Sequence, residues 1–185
     1  MRNTVSGTAW RMPWVVGTVA ATLALTALAG PATASAGAAP AKGGCTVGAN
    51  WGASNPAFAS TTLRLVNQHR ARIGARPLKA VPSLTKAAVW KSSHMMRFRY
   101  FEHDDAAPAS RTTGQRLSAC GYRRASYAEN IALGQRTPRE VVRAWIASRG
   151  HRASIENKRY TTTGIGAVTK SGRPTMWTQT FGIGA

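Results

Sequence analysis

A length of 185 residues points to one domain plus a processing segment. With 25 Lys and Arg against 6 Asp and Glu, the formal charge is +19, which favours polyanions: anionic wall polymer, anionic lipid, or nucleic acid non-specifically. The Ala-, Gly- and Arg-rich usage of a high-GC genome yields the same excess, so charge alone identifies no site.

The first segment reads as an export signal. Arg2 and Arg11 precede an uncharged Val-, Ala- and Leu-rich run from Trp14 to Ala29, and Ala34-Ser35-Ala36 fits a small-residue cleavage site. The expected signal peptide is 1–36, and its removal leaves 149 residues with a charge of +17, since Arg2 and Arg11 go with it. No twin-arginine pair precedes the run, which favours the general route. No later stretch is apolar enough to span a bilayer. Cys45 and Cys120 are an even pair in an exported chain, so a disulfide is expected.

Residues 37–57 are rich in Gly, Ala, Pro and Asn and read as an irregular lead-in, with the domain at 58–185. A helix is expected from Phe58 to Gly74, with Leu63, Val66, Arg70 and Ile73 at helical spacing. Arg70, Arg72 and Arg76 read as a solvated face that could meet wall phosphate. Ser83 is expected to cap a second helix, on which Leu84, Ala88, Ser92 and Met95 share a face small enough for close approach. Residues 102–110 read as loop, and 112–119 as a short helix.

Thr137-Pro138-Arg139-Glu140 has the form of a capping box with Pro at the first helical position, and Gly150 is expected to end that helix. Trp145 belongs to its buried face. Residues 164–169 and 175–181 form a hairpin signal around Lys170-Ser171-Gly172-Arg173-Pro174. Helices followed by a terminal hairpin indicate an α+β fold.

Three polar groups are candidates for chemistry. His103 lies in Tyr100-Phe101-Glu102-His103-Asp104-Asp105, Glu129 in Ala128-Glu129-Asn130-Ile131-Ala132, and His151 in Ser148-Arg149-Gly150-His151-Arg152. Two imidazoles and a carboxylate can pair, hold a divalent metal, or act as acid and base, and spacing does not choose among these. Glu102, Asp104 and Asp105 flank His103, where they would favour its protonated form or act as outer metal ligands. His69 and His94 read as surface or internally satisfied groups. There is no HExxH, CxxC or GxSxG.

The order of the blocks adds a resemblance. Val66-Asn67-Gln68-His69-Arg70, Tyr100-Phe101-Glu102-His103, Cys120-Gly121-Tyr122, Ala128-Glu129-Asn130-Ile131-Ala132, Trp145 to His151-Arg152, and Trp177-Thr178-Gln179-Thr180-Phe181-Gly182 stand in the order found in the CAP superfamily. This is the family of cysteine-rich secretory, antigen 5 and pathogenesis-related 1 proteins, and the chain resembles its bacterial secreted branch over about 58–183. The resemblance implies an α-β-α sandwich around a small antiparallel sheet, and a cleft formed by His103, Glu129 and His151. It further implies Ser148 as a cleft neighbour, while Gln179 on the last strand is read either as touching the cleft or as ordering the sheet. Ser148 stands nearest to where other branches carry a second Glu.

The functional expectation is a secreted, monomeric, non-enzymatic module that binds a ligand or envelope polymer. Its cleft is expected to hold a divalent cation such as zinc on His103, His151 and Glu129. The alternative is an extracellular hydrolase, peptidase or nuclease, with Glu129 activating water.

Overall fold

The structure, a computed structural model, describes residues 44–184. The expected signal peptide and the first part of the lead-in lie outside the described residues. The elements in chain order are β1 (Ala53–Ser54), α1 (Pro56–Arg72), β2 (Lys79–Ala80), α2 (Pro82–Phe98), α3 (Thr113–Ala119), β3 (Tyr127–Leu133), α4 (Pro138–Ala147), α5 (Arg149–Glu156), β4 (Thr162–Lys170) and β5 (Arg173–Gly182).

The sheet runs β1-β4-β5-β3, with β2 pairing β4 in parallel and the other pairs antiparallel. The strand alternation puts Ile165 and Ala167 of β4 and Trp177, Gln179 and Phe181 of β5 on one face. That face packs against Val66 of α1, Val141, Val142 and Trp145 of α4, and Ile155 of α5. The other face is covered by α2. Leu84, Ala87, Leu117, Cys120 and Tyr122 form one cluster there, and Met95, Met96, Ile131, Val168 and Met176 another. The result is the expected α-β-α sandwich.

The close approach anticipated from Ala88 and Ser92 is made by β4. A Cβ added at Gly164 or Gly166 would overlap the backbone of Leu84 or Ala88. The Ser92 hydroxyl lies 2.8 Å from Thr178 Oγ1 and 3.2 Å from Gly166 O, so the polar groups of this tight layer satisfy one another.

Element boundaries differ from the expectations at four places, each with a local cause. The domain begins before residue 58, because β1 pairs with β4 and Asn55 caps α1 by accepting from Phe58 N–H. The second helix starts at Pro82 and not at a Ser83 cap. Val81 is held extended by donating to Thr163 O at 3.0 Å, and Pro82 has its φ already set for the first turn. Thr137 does accept from Glu140 N–H, but Glu140 reaches back to Arg136 N–H, one residue outside the expected box. The full reciprocal box sits instead at Thr112 and Gln115, opening α3. Finally, Gly150 does not end α4. Ser148 breaks the helix with extended backbone, and Gly150 falls in the first turn of α5.

Arg70 is the largest correction. It is fully buried rather than on a solvated face. Its guanidinium donates to Arg76 O, Ile155 O, Asn157 O and Tyr160 O at 2.5–3.1 Å, joining the end of α1 to the turn between α5 and β4. A buried cation is tolerated there because its donors are taken up by four carbonyls, of which only Asn157 O has another donor, Tyr160 N–H. Arg72 and Arg76 are exposed as expected.

Cys45 and Cys120 form the expected disulfide, tying the segment before β1 to the end of α3 across 75 residues of sequence. Closing a loop of that length contributes about 4 kcal/mol in the chain-entropy picture. Intact mass should lie two daltons below that of the fully reduced protein, and reduction should lower the melting temperature. Arg70→Leu should destabilise by about 3 kcal/mol or more, because it strands the carbonyls of Arg76, Ile155 and Tyr160, while Arg76→Leu should stay within about 0.5 kcal/mol. Chemical denaturation checks both.

Candidate functional site

The site is built around the edge strand β3, where successive side chains point to opposite faces. Glu129 points to the α2 and α3 side and Asn130 to the α5 side. The Glu129 side chain is 2 % exposed. Its Oε1 lies 3.1 Å from His103 Nδ1, and its Oε2 pairs with the Arg116 guanidinium. His103 sits in the loop after α2 with its side chain 53 % exposed. Among the described residues its Nε2 has no hydrogen-bond partner.

His151 reaches the same edge from α5. Its backbone carbonyl accepts from Asn130 Nδ2 at 3.0 Å. Burial lowers the pKa of His151, and the neighbouring His103 lowers it further. Ser148 is the joint between α4 and α5, two positions from Gly150 and three from His151. Gln179 is fully buried on β5 beside Asn130 and reaches Thr163 Oγ1 at 3.4 Å, so it orders the sheet and does not line a surface. Among the described residues no group of three or more His, Cys, Asp and Glu could hold a metal ion. Both oxygens of Glu129 are already engaged.

Beneath the histidines lies a buried ion network that sequence reasoning missed. Asp105 is not a neighbour of the His103 ring. It turns inward and pairs with Arg116, with Lys91 Nζ at 3.3 Å and with Arg111 Nε at 3.1 Å. Lys91 is fully buried on α2 and also donates to Tyr100 Oη at 3.2 Å and to Asp104 O at 2.9 Å. Burial, then the charge of Arg116, pushes its pKa down to about 8 despite the two carboxylates.

Tyr100, accepting from Lys91, is free to donate to His94 Nδ1 at 2.7 Å. His94 is fully buried and stacked on Trp90, and burial pushes its pKa down to about 4, so it is neutral. Arg111 lies 4.2 Å from the Trp90 ring centre. The available signal was the spacing Leu84, Ala87, Lys91, Met95, which sets a lysine on an otherwise apolar helical stripe.

Arg116 is the member that connects this network to the surface. It holds Asp105 and Glu129 together and donates to His103 O at 3.2 Å. Burial works against its charge, but Glu129 and Asp105 raise its pKa. The network contains three cations and two carboxylates, and this imbalance gives a sharp test. Asp105→Asn leaves three buried cations around a neutral amide and should cost about 3–5 kcal/mol, whereas Lys91→Met evens the charge and should cost about 1 kcal/mol or less. Equal losses in urea denaturation would contradict this account.

The comparisons with known proteins agree with the fold. The chain is 38 % identical over 125 residues to the uncharacterized protein YkwD of Bacillus subtilis (strain 168), covering 68 % of this chain and 47 % of that protein. It therefore spans about half the length of the curated relative it matches. Among solved structures it resembles an extracellular protein containing a SCP domain from Bacillus anthracis, with a TM-score of 0.62 and 26 % identity over 70 % of this chain and 41 % of that one. An outer surface protein from Borrelia burgdorferi shares the fold, with a TM-score of 0.65 and 18 % identity over 72 % of this chain and 99 % of that one. Residues 63–181 match the family model of the cysteine-rich secretory proteins, and the chain belongs to that CAP family.

Proposed function

We propose that this protein is an extracellular binding module, not a hydrolase, and that its ligand meets the two imidazoles at the β3 edge. The observation that carries this is the state of Glu129. A general base needs a free carboxylate oxygen facing the proton it takes. Glu129 has Arg116 on one oxygen and His103 on the other, inside a nearly closed pocket. It is a positioning group that fixes the His103 ring and turns Nε2 outward. Export is supported by the leader pattern, the disulfide, and the extracellular description of the Bacillus anthracis protein. No helix among the described residues is long and apolar enough to cross a membrane.

The same arrangement suits a divalent cation held by His103 Nε2 and His151, with Glu129 behind the first imidazole. A carboxylate on the far nitrogen of a ligating His fixes its tautomer and raises its basicity. Such a cation would supply a positive centre for an anionic ligand. With two protein ligands, the remaining positions would go to water or ligand.

Zinc calorimetry tests the reading. One site is expected, weakened about tenfold or more by His103→Ala or His151→Ala and by about 10–100-fold for Glu129→Gln. Ligands must be deprotonated, so binding should be full above the ordinary imidazole range near pH 6.5 and fall as pH drops through it. The depressed pKa of His151 means that its part of the loss comes at the lower end. Binding indifferent to all three substitutions would remove the cation from the cleft. Turnover of a peptide or nucleic acid by pure protein, abolished by Glu129→Gln in a folded variant, would replace the binding reading with an enzymatic one.

A further inference from the structure

A groove of about 540 Å³ runs between α1, α4 and α5. Arg72 from the end of α1, Arg139 and Arg143 from α4, and Arg152 from α5 line it, and all four are exposed. Val142 and Ile146 form part of its floor, and no carboxylate lines it. Among the described residues none of these four arginines forms an ion pair. Arg152 makes one bond, to Ile146 O at 3.2 Å. The acid closest in sequence to Arg152, Glu156, is turned to His69 Nε2 at 2.8 Å.

We propose that this arginine groove binds a flexible polymer of phosphodiester-linked polyols. The proposal deepens the extracellular reading by naming a partner class and the place that takes it. Four unpaired cations around one depression repel one another, and a bridging anion removes that cost. Guanidinium is the side chain whose planar fork matches phosphate oxygens. Arg139 and Arg143 are one helical turn apart, with Cβ atoms about 5–6 Å from each other, and Arg72 and Arg152 extend the row onto two further helices, which fits repeated charges better than a single ion.

The chemistry of the floor narrows the class. Val142 and Ile146 suit the methylene-rich links between phosphates. No Phe, Tyr or Trp lines the groove, so it lacks the platforms on which single-stranded nucleic acid stacks. The large apolar side chains that are most exposed, Phe101, Tyr127 and Leu133, all lie outside it, so it lacks groups to insert into a bilayer.

The test is titration of the purified full chain with lipid-free poly(glycerol phosphate) at low and high salt. The groove variant carries Arg72→Gln, Arg139→Gln and Arg143→Gln, which keep helix propensity and the side-chain stem. A control removes the same charge elsewhere through Arg123→Gln, Arg124→Gln and Lys158→Gln, all at exposed positions. Affinity should fall about tenfold or more in the groove variant, with a weaker salt dependence, and less than about threefold in the control.

Equal losses in both variants would mean a delocalised field and would overturn the site. An oligonucleotide or anionic vesicles bound as tightly, and lost with the same arginines, would overturn the polymer class. His103→Ala should leave polymer binding intact, and the groove variant should leave zinc binding intact. The opposite pattern would move the polymer to the cleft. Melting curves of each variant confirm folding, and the single substitution Arg143→Gln gives the same ranking if the triple variant is unstable.

Discussion

Arg116 is held from two sides. Its guanidinium bridges Asp105 and Glu129, and all three side chains are essentially out of solvent. Each charge would be prohibitively costly alone in this setting. Together with Lys91 and Arg111 they connect α2, the 101–112 loop, α3 and β3 through charge-assisted bonds, in addition to the apolar clusters that α2 shares with α3 and β3. An arginine suits the centre because it stays charged throughout the working pH range and offers several donors in a fixed plane. One side of the fork holds the backbone of the loop that carries His103, and the other holds the carboxylate that fixes its ring. The cleft geometry therefore inherits its precision from a buried network.

This explains which parts are legible in the sequence and which are not. The helices, the terminal hairpin and the disulfide follow from period, caps and cysteine parity, and the histidines and Glu129 from blocks that each lie within a few residues. Trp145 reads as core, and it is buried with its indole N–H donating to Ile131 O at 3.3 Å. Arg70, Lys91 and Arg116 are not legible as buried groups, because what stabilises each of them is contributed from farther along the chain. Arg70 finds Ile155 and Tyr160 at separations of 85 and 90 residues. A local window sees only a basic residue on a helix and assigns it to solvent. The fifth helix escapes notice for the opposite reason: Gly150 carries a strong local stop signal that the chain overrides, since Ser148 has already broken the helix and Ile155 is drawn into the core.

The position of the cleft at an edge strand has its own consequence. In a central strand, Glu129 and Asn130 would point into two separately sealed layers. At β3 the sheet ends, so a loop from one layer and a helix from the other can meet over the same strand. Asn130 anchors the α5 side through the His151 carbonyl, and Glu129 anchors the His103 side. No second acid stands near Ser148, and burial lowers the pKa of His151. The cleft thus presents one imidazole held by a carboxylate and one held by its surroundings.

The large positive charge takes on a different meaning once the acids are placed. Asp105 and Glu129 are committed to the interior. Asp104 accepts from Thr113 N–H, Glu140 accepts from Arg136 N–H, and Glu156 pairs with His69. Four of the cations, Arg70, Lys91, Arg111 and Arg116, are likewise internal. Five of the six acids are thus engaged in caps, pairs or the buried network, and the sixth, Glu102, is exposed in the loop that carries His103, away from the arginine groove. The outer cations thus stand apart from the carboxylates, and three helices bring four exposed guanidiniums around one groove that no carboxylate lines.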